Sequence, residues 1–90
     1  MILAATIGPF GGAVYPGVST SKSLAIRREV NDWIRTIEVF DAVFDVARAV
    51  ADPAATDYIR ADLDSGDGMH LNDQGARVMA AAVDLRALAR

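Results

Sequence analysis

The sequence predicts an α/β domain in the order β-α-β-loop-α, and three observations predict it. Residues 2–7 form an unbroken apolar run, residues 23–37 repeat apolar side chains at helical spacing, and residues 40–46 are again short and rich in β-formers. Strand, amphipathic helix and strand in that order make a crossover unit, which places the two strands parallel.

The first run, Ile2-Leu3-Ala4-Ala5-Thr6-Ile7, has no alternation of apolar and polar residues and is closed by Gly8-Pro9. Such a run suits a strand of a parallel sheet, covered on both faces. Met1 to Ala5 lack a basic flank and give way to Gly8-Pro9, so they read as strand and not as a signal peptide. The glycine- and proline-rich residues 10–17 form a loop, and the residues from Ser19 to Ser23 offer several helix caps. In the helix, Ile26, Val30, Trp33, Ile34 and Ile37 define the expected core face, with Trp33 packed beneath it. Arg27, Arg28, Glu29, Asn31, Asp32 and Arg35 fill the opposite side. After the second strand, Asp52-Pro53 marks a turn, and residues 56–68 are expected to be an acidic loop with one helical turn. A last helix spans residues 73–88, capped by Asn72 or Asp73, with Ala76, Met79, Ala80, Val83 and Ala87 as the face that lies close to a sheet.

Composition narrows the function classes. The chain has 90 residues, is 52% hydrophobic and 23% charged, and carries a net charge of −3 with no cysteine. That is globular composition, and an acidic balance argues against a nucleic-acid partner. Disulfides and thiolate metal sites are excluded. No apolar run approaches the ~20 residues of a membrane span. One difficulty follows from the strand pattern: two parallel strands are rarely stable alone, and the first asks for neighbours on both edges. The chain reads as a single partial domain, 1–90, whose exposed sheet edge invites self-association or pairing with another chain.

The chemistry concentrates in Ser65-Gly66-Asp67-Gly68-Met69-His70-Leu71-Asn72-Asp73, which contains the one histidine of the sequence. In a Ser-His-Asp system the carboxylate fixes the tautomer and orientation of the imidazole, which takes the nucleophile's proton. Three-residue spacing lets Asp67 fold back on His70, and Gly66 and Gly68 ease that turn. In a loop after the last strand, the pair would sit at the carboxyl edge of the sheet, where open α/β folds place their sites. No nucleophile accompanies it. Ser19, Ser21 and Ser23 have no strand leading into them and no Gly-x-Ser-x-Gly frame, and Ser65 is too near His70 to serve, so it is expected to support the turn.

Residues 65–80 resemble the last block of the SGNH (GDSL-type) hydrolases, in which an Asp-x-x-His pair precedes an Asn-Asp-x-Gly helix start and an alanine-rich helix. Ala5-Thr6-Ile7-Gly8-Pro9-Phe10-Gly11-Gly12, Val30-Asn31-Asp32-Trp33-Ile34-Arg35 and the segment from Phe44-Asp45-Val46 to Asp52-Pro53 are similar to the strand, helix and turn upstream of that block. The likeness spans positions 2 to 85. It implies the carboxyl-terminal part of a three-layer α/β/α hydrolase fold acting on small-molecule or carbohydrate esters without a cofactor. Asp67 would be the triad acid and His70 the general base. The family's Gly-Asp-Ser nucleophile and its oxyanion-hole glycine and asparagine have no counterpart here, so the isolated chain is expected to be inactive. Relatives are often secreted, which leaves the localisation of this chain unassigned.

A second, non-catalytic class is an acidic calcium-binding or partner-completing module. Asp62, Asp64, Asp67, His70 and Asp73 cluster, and Asp62-Leu63-Asp64-Ser65-Gly66 begins like a calcium loop with Asp73 at its twelfth position. The pattern breaks where the loop needs glycine, since Asp67 stands there. Zinc is less favoured than calcium, with one histidine and no cysteine.

Overall fold

The parallel pair at the centre of the molecule is short. In the computed structural model, which describes residues 1–89, β1 (Leu3–Ala5) pairs in parallel with β2 (Ala42–Phe44), Leu3 opposite Ala42 and Ala5 opposite Phe44. The connection between them contains α1 (Ser21–Thr36), as the β-α-β pattern predicts. Thr20 caps α1 by accepting from the Ser23 amide at 3.1 Å, and the helix ends where the Ile37 amide bonds back to the Trp33 carbonyl. Both strands are shorter than their apolar runs. β1 has no second neighbouring strand among the described residues, and Ile2 and Ile7 beside it are exposed instead of covered.

Several expectations need correction. Residues 56–68 are not simply loop: β3 (Ala51–Asp52) and β4 (Ala55–Ile59) form an antiparallel hairpin around the expected turn at Asp52-Pro53. Polarity hid β4, because only Ile59 of its residues is buried while Tyr58 and Thr56 face solvent. The expected helical turn follows as a 3-10 turn at Ala61–Leu63. A short helix not foreseen, α2 (Val46–Val50), joins β2 to β3 and is capped by Asp45. The last helix is split: α3 covers Asp73–Ala81, and a 3-10 turn at Leu85–Leu88 restarts under a new cap, Asp84, whose carboxylate accepts from the Arg86 amide at 3.0 Å. A side chain that offers its own acceptor to the backbone competes with helix continuation.

A further correction concerns which face of α1 is buried. Trp33 is 52% exposed, its ring perpendicular to that of Phe40 with centroids 5.8 Å apart, and Ile26 is also exposed. The buried residues are Arg27, Asn31 and Ile34, a helical stripe that is two-thirds polar. The cause is the backbone of β1's exit. Asn31, only 1% exposed, accepts from the Ile7 amide at 2.7 Å and donates to the Ile7 carbonyl at 2.9 Å. The Arg27 Nε donates to the Ile7 and Gly8 carbonyls. Part-buried peptide groups without a sheet partner are satisfied by such side chains, so α1 turns this face inward.

Two apolar clusters make up the core. Phe44, Val46 and Ala87 form one, and Val50, Ile59 and Leu63 the other, with Met79 of α3 packed against both. Gly75 brings α3 close, since a Cβ there would stand 2.6 Å from the Leu63 carbonyl oxygen. Ala76 and Ala80, expected on that face, are exposed. Gly75, Met79 and Val78 carry the contact. Among the described residues no helix is long and apolar enough to cross a membrane.

Candidate functional site

The Asp67–His70 turn is closed at its base and pinned at its top. Asp64 and Leu71 form an antiparallel bridge, the Ser65 amide donates to the His70 carbonyl at 2.9 Å, and the Asn72 amide donates to the Leu63 carbonyl at 2.9 Å. Asn72 then caps α3, accepting from the Gly75 amide at 2.8 Å, while its Nδ2 donates to the Asp62 carbonyl. Of the two candidate caps, Asn72 is the one used. The six-residue turn is therefore mounted on the start of a helix, which fixes the direction in which His70 leaves the backbone.

Within the turn, Gly66 (φ 120°) and Gly68 (φ 73°) occupy backbone conformations that other residues rarely adopt. Gly68 has a second reason to be glycine. A Cβ at this position would lie 2.0 Å from the Gly12 carbonyl oxygen, so the 10–17 loop and the turn touch backbone to backbone. The Val14 amide donates to the Asp67 carbonyl at 3.0 Å and adds to that contact.

Asp67 is the centre of the arrangement. Its Oδ1 accepts from the His70 amide at 2.8 Å, the Met69 amide at 2.9 Å and the Ser65 hydroxyl at 3.3 Å. Its Oδ2 lies 2.6 Å from His70 Nδ1 and accepts from the Tyr15 hydroxyl at 2.8 Å. The His70 amide, the imidazole and the Met69 amide hold this carboxyl far below the usual carboxylate range, and Tyr15 adds to the effect. Asp67 is thus an anion at neutral pH, and an anionic carboxylate only accepts. Nδ1 must then carry the hydrogen, and the neutral ring keeps its lone pair on Nε2. His70 is 66% exposed, and no described residue bonds to Nε2.

The sequence picks out Asp67 and His70, and the structure brings them into direct contact. It also gives Ser65 the supporting place expected of it. Ser19 and Ser23 turn their hydroxyls to the carbonyls of Ala13 and Val18, and no described hydroxyl reaches Nε2. Tyr15 escapes sequence reasoning because it lies 52 residues from Asp67. The one available signal is an aromatic residue in a loop whose Gly11-Gly12 pair permits close backbone approach.

Two of the calcium-loop candidates are spent on other partners. Asp62 is paired with Arg60, and Asp64 accepts from the Gly66 and Gly68 amides. Among the described residues no group of three or more carboxylate, histidine or cysteine side chains could hold a metal ion.

A cleft of about 290 Å³ lies elsewhere, between α1, α2 and the β3–β4 hairpin, lined by Arg27, Arg28, Arg35 and Arg48 among others. Its guanidinium groups already face Asp57 and Asp45. No family model matches this chain, and no curated protein matches it.

Proposed function

We propose that this chain is the carboxyl-terminal segment of an SGNH-type serine ester hydrolase and supplies its acid and base, Asp67 and His70. The observation that carries this is the 2.6 Å contact between Asp67 Oδ2 and His70 Nδ1, with the opposite ring nitrogen open to solvent. An anionic carboxylate on Nδ1 selects the tautomer whose Nε2 can take a proton, and it stabilises the imidazolium that results. Further support comes from the unpaired edge of β1, which leaves room for another strand of a larger parallel sheet.

The nucleophilic serine and the oxyanion donors belong to sequence outside these 90 residues. Its hydroxyl oxygen attacks the ester carbonyl while Nε2 accepts the proton. The alcohol leaves with that proton, and water activated at Nε2 then hydrolyses the serine ester. Two experiments test the proposal. A fluorophosphonate probe leaves the 90-residue chain unlabelled. Joined in frame to an upstream segment bearing Gly-Asp-Ser, the chain supports hydrolysis of p-nitrophenyl acetate, and Asp67→Asn lowers that rate about 10⁴-fold. Strong, His70-dependent labelling of the chain by itself, or a joined protein indifferent to Asp67→Asn, overturns it.

A further inference from the structure

Asp67 is anchored unequally at its two oxygens. Oδ1 is held by backbone amides of its own turn, contacts that any Asp-x-x-His turn can supply locally. Oδ2, the oxygen that faces the imidazole, is held from outside the turn. Tyr15 reaches it from the 10–17 loop at 2.8 Å. The tyrosine ring also stands edge-on to the His70 ring, with centroids 6.3 Å apart and planes at 77°. The loop that carries Tyr15 is fixed in place by the Gly12–Gly68 backbone approach, by the Val14–Asp67 hydrogen bond and by the Gly11 amide on the Asp57 carbonyl.

We infer that Tyr15 is a positioning residue of the acid–base pair: its hydroxyl shares Asp67 Oδ2 with His70 Nδ1–H and so sets how strongly the carboxylate grips the imidazole. The inference rests on the acid–base role of Asp67 and His70 proposed above. Two donors on one oxygen divide its charge between them, so each bond is weaker than it would be alone. A grip that is too strong retains the proton on the imidazolium, and one that is too weak releases the ring from its tautomer. Tyr15 therefore acts on the histidine through the aspartate, while its ring limits imidazole rotation. The phenol responds in turn: the hydrogen bond to Asp67 and then the negative charge there raise its ionisation above the ordinary value of about 10.

The single histidine makes the test direct, because one imidazole resonance set is present. In the 90-residue chain, proton–nitrogen NMR is expected to report hydrogen on Nδ1 and a bare Nε2, and Asp67→Asn abolishes this preference. Tyr15→Phe keeps the ring but frees Oδ2, and it moves the Nδ1 proton resonance downfield as the bond to Asp67 strengthens. Ser65→Ala, which removes a contact to the other oxygen, leaves that resonance in place. Ultraviolet titration gives a second measurement, in which Asp67→Asn brings the elevated phenol back toward its ordinary value.

A resonance unchanged in Tyr15→Phe, or moved equally by Ser65→Ala, overturns the role of Tyr15 while leaving the Asp67–His70 pair intact. A wild-type spectrum with hydrogen on Nε2 overturns the pair itself, and the role of Tyr15 with it.

Discussion

Asp45 and Asp67 are two carboxylates of similar exposure, 26% and 21%, and the molecule uses them in opposite ways. Asp45 sits at the end of β2. It accepts from the Thr6 hydroxyl at 3.0 Å and the Arg48 amide at 3.3 Å, and Arg35 grips both its oxygens at 2.9 and 3.0 Å. Thr6 in turn accepts from the Ala47 amide, so the knot ties β1, α1 and α2 together. Asp67 is just as densely bonded, but its ring partner is an imidazole, 66% exposed, whose second nitrogen no described residue bonds. A permanent cation on a carboxylate makes a structural clamp. An imidazole on a carboxylate leaves a second ring nitrogen, Nε2, free of protein partners among the described residues.

The largest effect is expected where the Asp67 turn meets the 10–17 loop. Gly68→Ala puts a methyl group against the Gly12 carbonyl oxygen and strains a positive φ, so the two loops must separate. A loss of more than about 4 kcal/mol is expected in chemical denaturation, with disappearance of the Nδ1 proton signal. A stable Gly68→Ala protein with that signal intact would show that the turn is held by Asp67 alone.

Next is the buttress beside Asp45. Asn31→Leu leaves the Ile7 amide without its side-chain partner and the Ile7 carbonyl with Arg27 alone, and is expected to cost roughly 2–4 kcal/mol in thermal or denaturant melts. The His70 resonances stay where they are, because Asn31 serves the exit of β1 and not the turn.

Smaller, and dependent on pH, is the effect of Asp45→Asn, about 2 kcal/mol at neutral pH. Burial works against ionisation of Asp45, but Arg35, Thr6 and the Arg48 amide outweigh it and leave the carboxyl below its ordinary value. The folded state therefore binds this proton less readily than the unfolded state. The stabilisation is complete above the unfolded value of about 3.9 and is lost as pH falls through the lower folded value. Melts of the wild type and Asp45→Asn should converge in strong acid and diverge above about pH 4. Parallel curves across that range would assign the clamp to hydrogen bonding without charge.

How much of this was legible differs between the two carboxylates. The Asp67–His70 pair was readable because everything that joins it is local: a three-residue spacing, two glycines and an Asn72 cap. The role of Asp45 was not, since its partners Thr6 and Arg35 converge only after the crossover is folded. The same holds for α1. Its spacing correctly announced a helix, within about two residues of Ser21–Thr36, yet of the expected apolar face only Ile34 is buried, while Ile26 and Trp33 are exposed. Periodicity counts apolar side chains, and it has no knowledge of two unpaired peptide groups at Ile7 and Gly8 that call for Asn31 and Arg27. Strand β4 was missed for a related reason, because an exposed hairpin needs little apolar patterning when its backbone pairing is satisfied by β3.

By itself, then, the sequence determined the β-α-β order, a helix cap at Asn72 or Asp73 and another near Ser21, and the pairing of Asp67 with His70. All of these arise from contacts within a few residues, where spacing and backbone preference decide the outcome. Only the tertiary structure decided that Trp33 faces outward, that Gly68 is needed for the backbone of Gly12, and that Tyr15 reaches the far oxygen of Asp67. Those depend on which unsatisfied polar groups and which close approaches the folded chain creates, and they do not exist until distant segments meet.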